Sequence, residues 1–364
     1  MQDLTITDIE ACLRAYVDED LACDLLTAKT LKNVQIVGDR VVLDLLLGYP
    51  IQSIRETWLA KLQAHLTTYF PGTPFEMNLA WRIETHVGQS TIKALPNIKN
   101  IIAVASGKGG VGKSTVAVNL ALTLAQEGAR VGILDADIYG PSLPNMLGIK
   151  TRPEIRKMDD KKIIMPIQVH GVQAMSIGVL VQDTDAVVWR GPMISMAMQQ
   201  LLNDTQWQDV DYLVVDLPPG TGDIQLTLCQ KIPVSGALIV TTPQELALID
   251  VRRACAMFAK LNVPILGLVE NMAGHQCSHC GHTENIFGAG GAERLAAEFK
   301  VPVLSRFPLD KTLGEETDGG IPPVAKNPQG SYAQQYRQLA RRVAAGLSLQ
   351  AKNYSGKFPQ IKVE

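Results

Sequence analysis

Surplus charge, long apolar runs and cysteine are what this 364-residue sequence has least of, and each scarcity excludes something. Thirty-four basic residues stand against 36 acidic ones, a formal net charge of −2, so no chain-wide positive field would hold nucleic acid or an anionic membrane. Neither partner is expected. No apolar run approaches the ~18 residues that cross a bilayer, and the opening MQDLTITDIE is acidic where a secretion signal is basic and then apolar. A cytoplasmic protein is expected. Six cysteines are too sparse for a disulfide scaffold, although Cys277 and Cys280 form a C-x-x-C that calls for an explanation. Internal repeats and low-complexity segments are missing too. What is present is ordinary for a globular chain, 46% hydrophobic and 19% charged, and at about 150 residues per domain the length suggests two domains.

The periodicities divide the chain. Residues 1–84 read as helix, strand, strand, helix, strand, a small α/β accessory domain. Thr7-x-x-Glu10 has the form of a capping box ahead of Ile9, Cys12, Leu13 and Tyr16 at helical spacing. The β-branched runs Val34–Val37 and Val41–Leu47 flank Gly38-Asp39, a hairpin signal. Ile54, Trp58, Leu62, Leu66 and Tyr69 mark a second helix, and FEMNLAWRIE a further strand. No catalytic constellation occurs in this part, which suits an interaction or docking domain. Residues 85–100 have a linker's composition. From Ile101 to about residue 350, the apolar strands IIAVAS, RVGILDAD, YLVVDLP, GALIVTT, ILGLVEN and VPVLSRF alternate with helices at Lys113–Glu127, Pro192–Asn203 and Glu245–Leu261. That alternation predicts a doubly wound α/β fold around a mostly parallel sheet. Residues 351–364 read as an extended tail.

Gly107-Lys108-Gly109-Gly110-Val111-Gly112-Lys113-Ser114 matches G-x-x-x-x-G-K-[ST] between a strand and a helix, the context this motif requires. Its glycines let backbone N–H groups wrap a phosphate, Lys113 reaches the β and γ phosphates of ATP, and Ser114 offers a hydroxyl to Mg²⁺. Thr115 completes the binding run. A Mg²⁺ site also needs carboxylates: Asp216 ends the strand YLVVDLP and is the natural Walker B acid, while Asp135 and Asp137 close RVGILDAD at the same sheet edge.

Lys108 is not required by an ordinary P-loop. The stretch KGGVGKST resembles the deviant P-loop of the MinD/ParA and nitrogenase iron-protein superfamily. With DADIYGPSLPNMLG at 135–148, WRGPM at 189–193, DLPPGTGD at 216–223, VENMAG at 269–274 and the C-x-x-C that follows, the chain resembles the Mrp/ApbC family of iron–sulfur cluster carriers. The resemblance covers residues 101 to about 345 and is much weaker before residue 84. It implies a cytosolic homodimer that hydrolyses ATP and delivers clusters to apo-proteins. It further implies that Lys108 reaches the partner subunit's phosphates, that Asp137 orients the attacking water, and that Asn271 reads the adenine edge. Lys108, Lys113 and Asp137 are thus the expected catalytic set, with nucleotide-responsive switches on DIYGPS and DLPPGTGD.

The cysteine segment HQCSHCGH places His275, Cys277, His279, Cys280 and His282 within eight positions. Two thiolates complete neither a zinc site nor a four-iron cluster. Cys12, Cys23, Cys229 and Cys255 are isolated within helical patterns and read as core residues. A symmetric dimer would supply the missing pair from its second copy, so that Cys277 and Cys280 hold a [4Fe–4S] cluster between subunits, as the resemblance also implies. A zinc site completed by two neighbouring histidines is the alternative, most naturally in a ParA/MinD-like positioning ATPase. An electron-donating reductase like the nitrogenase iron protein fits less well, because its cluster cysteines lie far apart in sequence.

Overall fold

A computed structural model of the chain describes residues 4–86, 92, 94–158, 161–179 and 191–352. Residues 353–364 of the expected tail, part of the expected linker, and Trp189 and Arg190 of WRGPM lie outside those residues.

The first unit has the expected element order. Helix α1 (Ile6–Ala15) buries Ile9, Cys12 and Leu13. Its capping box is Thr5 with Asp8, not Thr7 with Glu10: the Thr5 side chain accepts from the Asp8 N–H, and Asp8 accepts from the Thr5 N–H. The Thr-x-x-acid pattern occurs twice in succession, and the earlier copy adds backbone bonds without moving the apolar face. Strands β1 (Leu31–Val37) and β2 (Arg40–Leu47) pair antiparallel around Gly38, whose φ of +64° suits glycine. Helix α2 (Arg55–Tyr69) then lays Trp58, Leu62 and Leu66 on the sheet before β3 (Phe75–Trp81) pairs parallel to β2. Cys23 is a second correction. It lies in the turns between α1 and β1, half-buried, because the segment's own Asx-type bonds from Asp18 and Asp24 compete with helix.

The second unit is built on β4 (Ile98–Ser106), α3 (Lys113–Gln126), β5 (Val131–Asp135), α4 (Leu143–Met146), a β6–β7 hairpin (Ile155–Met158, Lys161–Ile164), β8 (Ile167–Val169) and β9 (Val172–Ser176). There follow α5 (Gly191–Asp204), β10 (Val210–Asp216), α6 (Asp223–Cys229), β11 (Gly236–Thr241), α7 (Glu245–Lys260), β12 (Ile265–Glu270), and a small hairpin β13–β14 (His275–Gln276, Thr283–Glu284). The chain closes with α8 (Gly291–Phe299), β15 (Val303–Arg306), α9 (Lys311–Asp318), α10 (Pro323–Lys326) and α11 (Ser331–Ser348). The main sheet runs β15-β12-β11-β4-β10-β5-β9-β8 and is parallel except for the β8–β9 edge. Every residue of β5, β9, β10 and β11 is buried, as a sheet covered on both faces demands. Six of its strands are those expected from the apolar runs. Strands β8 and β9 and the two hairpins were not expected.

The two units share a core. One apolar cluster runs from Leu13 and Trp58 through Leu120 and Leu124 of α3 to Leu339 and Val343 of α11. At its edge the Glu127 carboxylate, just past α3, accepts from the Ser53 N–H and hydroxyl and from Arg341, which also binds Asp20 at 2.8 Å. The P-loop helix is therefore gripped at its far end by the first unit.

Candidate functional site

Strand β4 ends at Ser106, and the loop Gly107–Gly112 turns the chain into α3. Glycine is required at particular places here. Gly110 and Gly112 have φ of +82° and +83°. A Cβ on Gly107 would lie 2.4 Å from the Asp250 backbone carbonyl carbon, so the loop rests directly on α7. The Ser106 hydroxyl donates to the Lys108 carbonyl at 2.9 Å. Asn271, just past β12, donates its amide to the Val111 carbonyl at 2.9 Å, and a Cβ on Gly112 would meet that same nitrogen at 2.2 Å. Lys108, Gly109 and Gly110 remain exposed on the outer side.

Three acids converge under the loop. Asp216 and Asp135 stand opposite each other in the β10–β5 register. Lys113 Nζ donates to Asp216 Oδ1 at 2.5 Å, lies 3.3 Å from the Ser114 hydroxyl, and is 3.9 Å from Asp137 Oδ2. Asp135 accepts from the backbone N–H groups of Asp137 and Leu143 and from the Ser176 hydroxyl. Burial, and then the charge of Asp216, push the Asp135 carboxyl up to about 7. Burial also raises Asp137, against the pull of Lys113. Asp216 Oδ2 is buried without a hydrogen-bond partner. An unspent carboxylate oxygen next to the ammonium that also touches Ser114 is the donor set of a hard divalent cation, so Ser114 and Asp216 fit Mg²⁺. The expected phosphate-site residues from Gly107 through Thr115, with Asp135, Asp137, Asp216 and Asn271, lie around this loop. Ser176 was missed, because nothing in its short strand marks it in sequence.

The cysteines sit on the β13–β14 hairpin. Cys277 N–H donates to the His282 carbonyl and Gly281 N–H to the Cys277 carbonyl, both at 2.9 Å, with Gly281 at φ +73°. Cys277 is half-buried and Cys280 exposed. The backbone N–H groups of Cys280 and His279 hold the Cys277 thiol below its ordinary value, helped by the Cys280 thiol. Burial does the reverse to Cys229 and Cys255, pushing both up to about 12. Among the described residues no cluster of three His, Cys, Asp or Glu side chains is placed to hold a metal. His275 is tied through Nδ1 to the Leu309 carbonyl at 3.0 Å, and among the described residues the alternative, a zinc site completed by neighbouring histidines, is not assembled within one chain.

The comparisons with known proteins agree with this geometry. Residues 97–344 match the family described as NUBPL iron-transfer P-loop NTPase, of the ParA group. The chain is 49% identical over 351 residues to the iron-sulfur cluster carrier protein of Escherichia coli (strain K12), covering 96% of this chain and 94% of that one. Its identity to the iron-sulfur cluster carrier protein of Pseudomonas fragi is 57% over 267 residues, 73% of this chain and 92% of the relative. The solved structure of a nucleotide-binding protein from Archaeoglobus fulgidus, in complex with ADP and with Co found in it, is 40% identical with a TM-score of 0.54, covering 62% of this chain and 87% of that chain. Among the described residues no helix is long and apolar enough to cross a membrane. Deviant P-loop, sheet order and relatives converge, and the chain belongs to the Mrp/ApbC-type iron–sulfur cluster carriers of the MinD/ParA-like P-loop NTPases.

Proposed function

We propose that this chain hydrolyses ATP, carries a [4Fe–4S] cluster between the Cys277–Cys280 pairs of two copies, and passes that cluster to apo-proteins in the cytoplasm. The observation that carries the reading is the cysteine hairpin. It presents two adjacent thiols, one of them favoured as thiolate, at an exposed turn that supplies half of the ligands a cluster needs. A second copy related by a two-fold axis brings the other half. A cargo held between subunits at an exposed turn is suited to release, whereas buried metal would be suited to permanence.

The nucleotide face supports the ATPase part. Backbone N–H groups of Gly109–Lys113 cradle the phosphates and Lys113 exchanges its contact with Asp216 for the γ-phosphate. Ser114 and Asp216 would hold Mg²⁺, which neutralises charge between the β and γ phosphates. Asp137 orients the attacking water, and the exposed Lys108 acts on the phosphates of the opposite subunit. Asn271 reads the adenine with the carbonyl oxygen that its Val111 contact leaves unspent. Only five residues separate Asn271 from Cys277, so the segment that clamps the P-loop also leads into the cluster hairpin.

Anaerobic reconstitution with iron and sulfide tests the reading. About four irons per two chains are expected, with loss of cluster in a Cys277→Ala, Cys280→Ala variant. Tightly held zinc without sulfide, or a cluster that survives both substitutions, would overturn it.

A further inference from the structure

Away from both sites, a cavity of about 650 Å³ opens where the first unit meets the end of α11. Its size is that of a small-molecule site. It forms because β2 and α11 end against each other: a Cβ on Gly48 would lie 2.7 Å from the Ser348 Cβ. Lys352 pairs its backbone with His86 directly beyond.

The charge of this cavity is one-sided. Among the described residues, Lys29, Lys32, Arg82 and Lys352 line it against a single acid, Glu84, which is bridged to Arg82. In a chain of net charge −2 such a concentration is local, not a reflection of composition. Burial and the charges of Lys352 and Arg82 pull the Lys32 ammonium below its ordinary value, so these cations repel one another with too few carboxylates between them.

His86 adds a second, independent feature. It is 3% exposed, and its N–H and Nδ1 both meet Asn100 Oδ1, at 3.0 and 3.1 Å. The Asn100 amide nitrogen donates to the Glu84 and Asp211 carbonyls, which fixes Oδ1 as an acceptor and places the imidazole proton on Nδ1. Nε2 is buried on the side of the Ser348 backbone carbonyl. The Ser348 carbonyl and Glu84 favour a second proton there, but burial, aided by Lys352, outweighs them. The cavity thus joins unbalanced positive charge to a buried imidazole fixed by Asn100.

We propose that this cavity binds a small organic or inorganic anion carrying two or more carboxylate or phosphate groups. The anion neutralises the lysines and Arg82 in the cavity that His86 lines. Walls from both units enclose it, so its binding also ties α11 to the first unit.

The test uses the full chain with saturating ADP and Mg²⁺, which keeps the P-loop from competing. Calorimetric titration with citrate and with pyrophosphate distinguishes the carboxylate source from the phosphate source. Saturable binding of either is expected, together with a shift of the His86 ring signals in NMR spectra. Lys32→Gln with Lys352→Gln should weaken it about tenfold or more, while Lys150→Gln, on the ATPase unit outside the cavity, should not. Steady-state ATP turnover of the paired variant should stay that of the parent. No saturable binding of either probe, equal affinity in the paired variant, or binding without any change at His86 would overturn the proposal.

Discussion

The nucleotide cradle and the cysteine hairpin are joined in sequence only through Asn271, a few residues before Cys277, and are built in opposite ways. The cradle is over-determined. Its acids end fully buried strands, its loop is pinned by Asn271 and by the backbone of α7, and its lysine is held by Asp216. The hairpin is two residues of strand on each side of an exposed turn, defined by backbone bonds, by the side chains of His275 and Gln276 on backbone carbonyls, and by a lowered thiol. A site that must place charge around a transition state needs preorganisation. One that must hand over its cargo needs access. The contrast predicts that each can be removed without the other, and that damage to the cradle costs more.

The largest effect is expected from Lys113→Ala. Turnover of ATP should fall by about 10²–10³, as when a principal electrostatic stabiliser is lost, while reconstituted iron per chain stays at the parent level. Loss of both would mean that the two sites are one cooperative unit. The converse variant, Cys277→Ala with Cys280→Ala, should lose the cluster and keep its melting temperature, since neither thiol is buried in the core and surface substitutions alter stability by about 0.5 kcal/mol or less. A large drop in thermal stability of the cluster-free variant would show that the hairpin supports the fold.

Glycines of the loop sharpen the comparison within the cradle itself. Gly107→Ala must displace the backbone of α7, whereas a Cβ on Gly109 meets only Pro219, at 3.9 Å. The first should cost about 1–3 kcal/mol of stability and much of the nucleotide affinity, and the second neither. Chemical denaturation and ADP titration of the two variants check this. Asn271→Ala removes one hydrogen bond of roughly 0.5–1.5 kcal/mol from the loop, so nucleotide affinity should weaken about three- to tenfold with the fold intact.

How much of this was legible follows the same divide. The cradle announces itself because glycine spacing, a strand before and a helix after are all local, and the acids at strand ends need only a parallel sheet to meet. Six sheet strands were readable because strands buried on both faces are continuous apolar runs. Strands β8 and β9 are only three and five residues long and follow a mixed segment, so Ser176, which bonds Asp135, carried no signal. The capping box slipped by two residues because two equivalent patterns overlap. Nor does any local pattern reveal that Glu127, Ser53, Asp20 and Arg341, hundreds of positions apart at the extremes, join the first unit to the P-loop helix. Contacts of that kind are decided by packing of whole units. The cysteines were plain in sequence, but two thiols complete neither a zinc site nor a four-iron cluster, and no local pattern says what supplies the rest.

The smallest expected effect is a pH dependence inside the cradle. Asp135 has an ordinary value of 3.8 that burial and the neighbouring Asp216 raise to about 7. Between those values the folded chain holds a proton that the unfolded chain has released, so folding is favoured by acid in that window. The stability it contributes is fully present below the unfolded value, declines as pH rises, and is lost above about 7. Asp137 and Glu270, both raised by burial, slope the same way, while lowered carboxylates such as Asp211 slope oppositely. The informative quantity is therefore a difference between variants. Asp135→Asn cannot ionise, and relative to it the nucleotide-free parent should lose stability from about pH 4 to about pH 7 and change little above. Denaturant midpoints of both proteins across that range measure the difference. A parent whose stability tracks the variant throughout would show that Asp135 is ionised in the folded chain across that range.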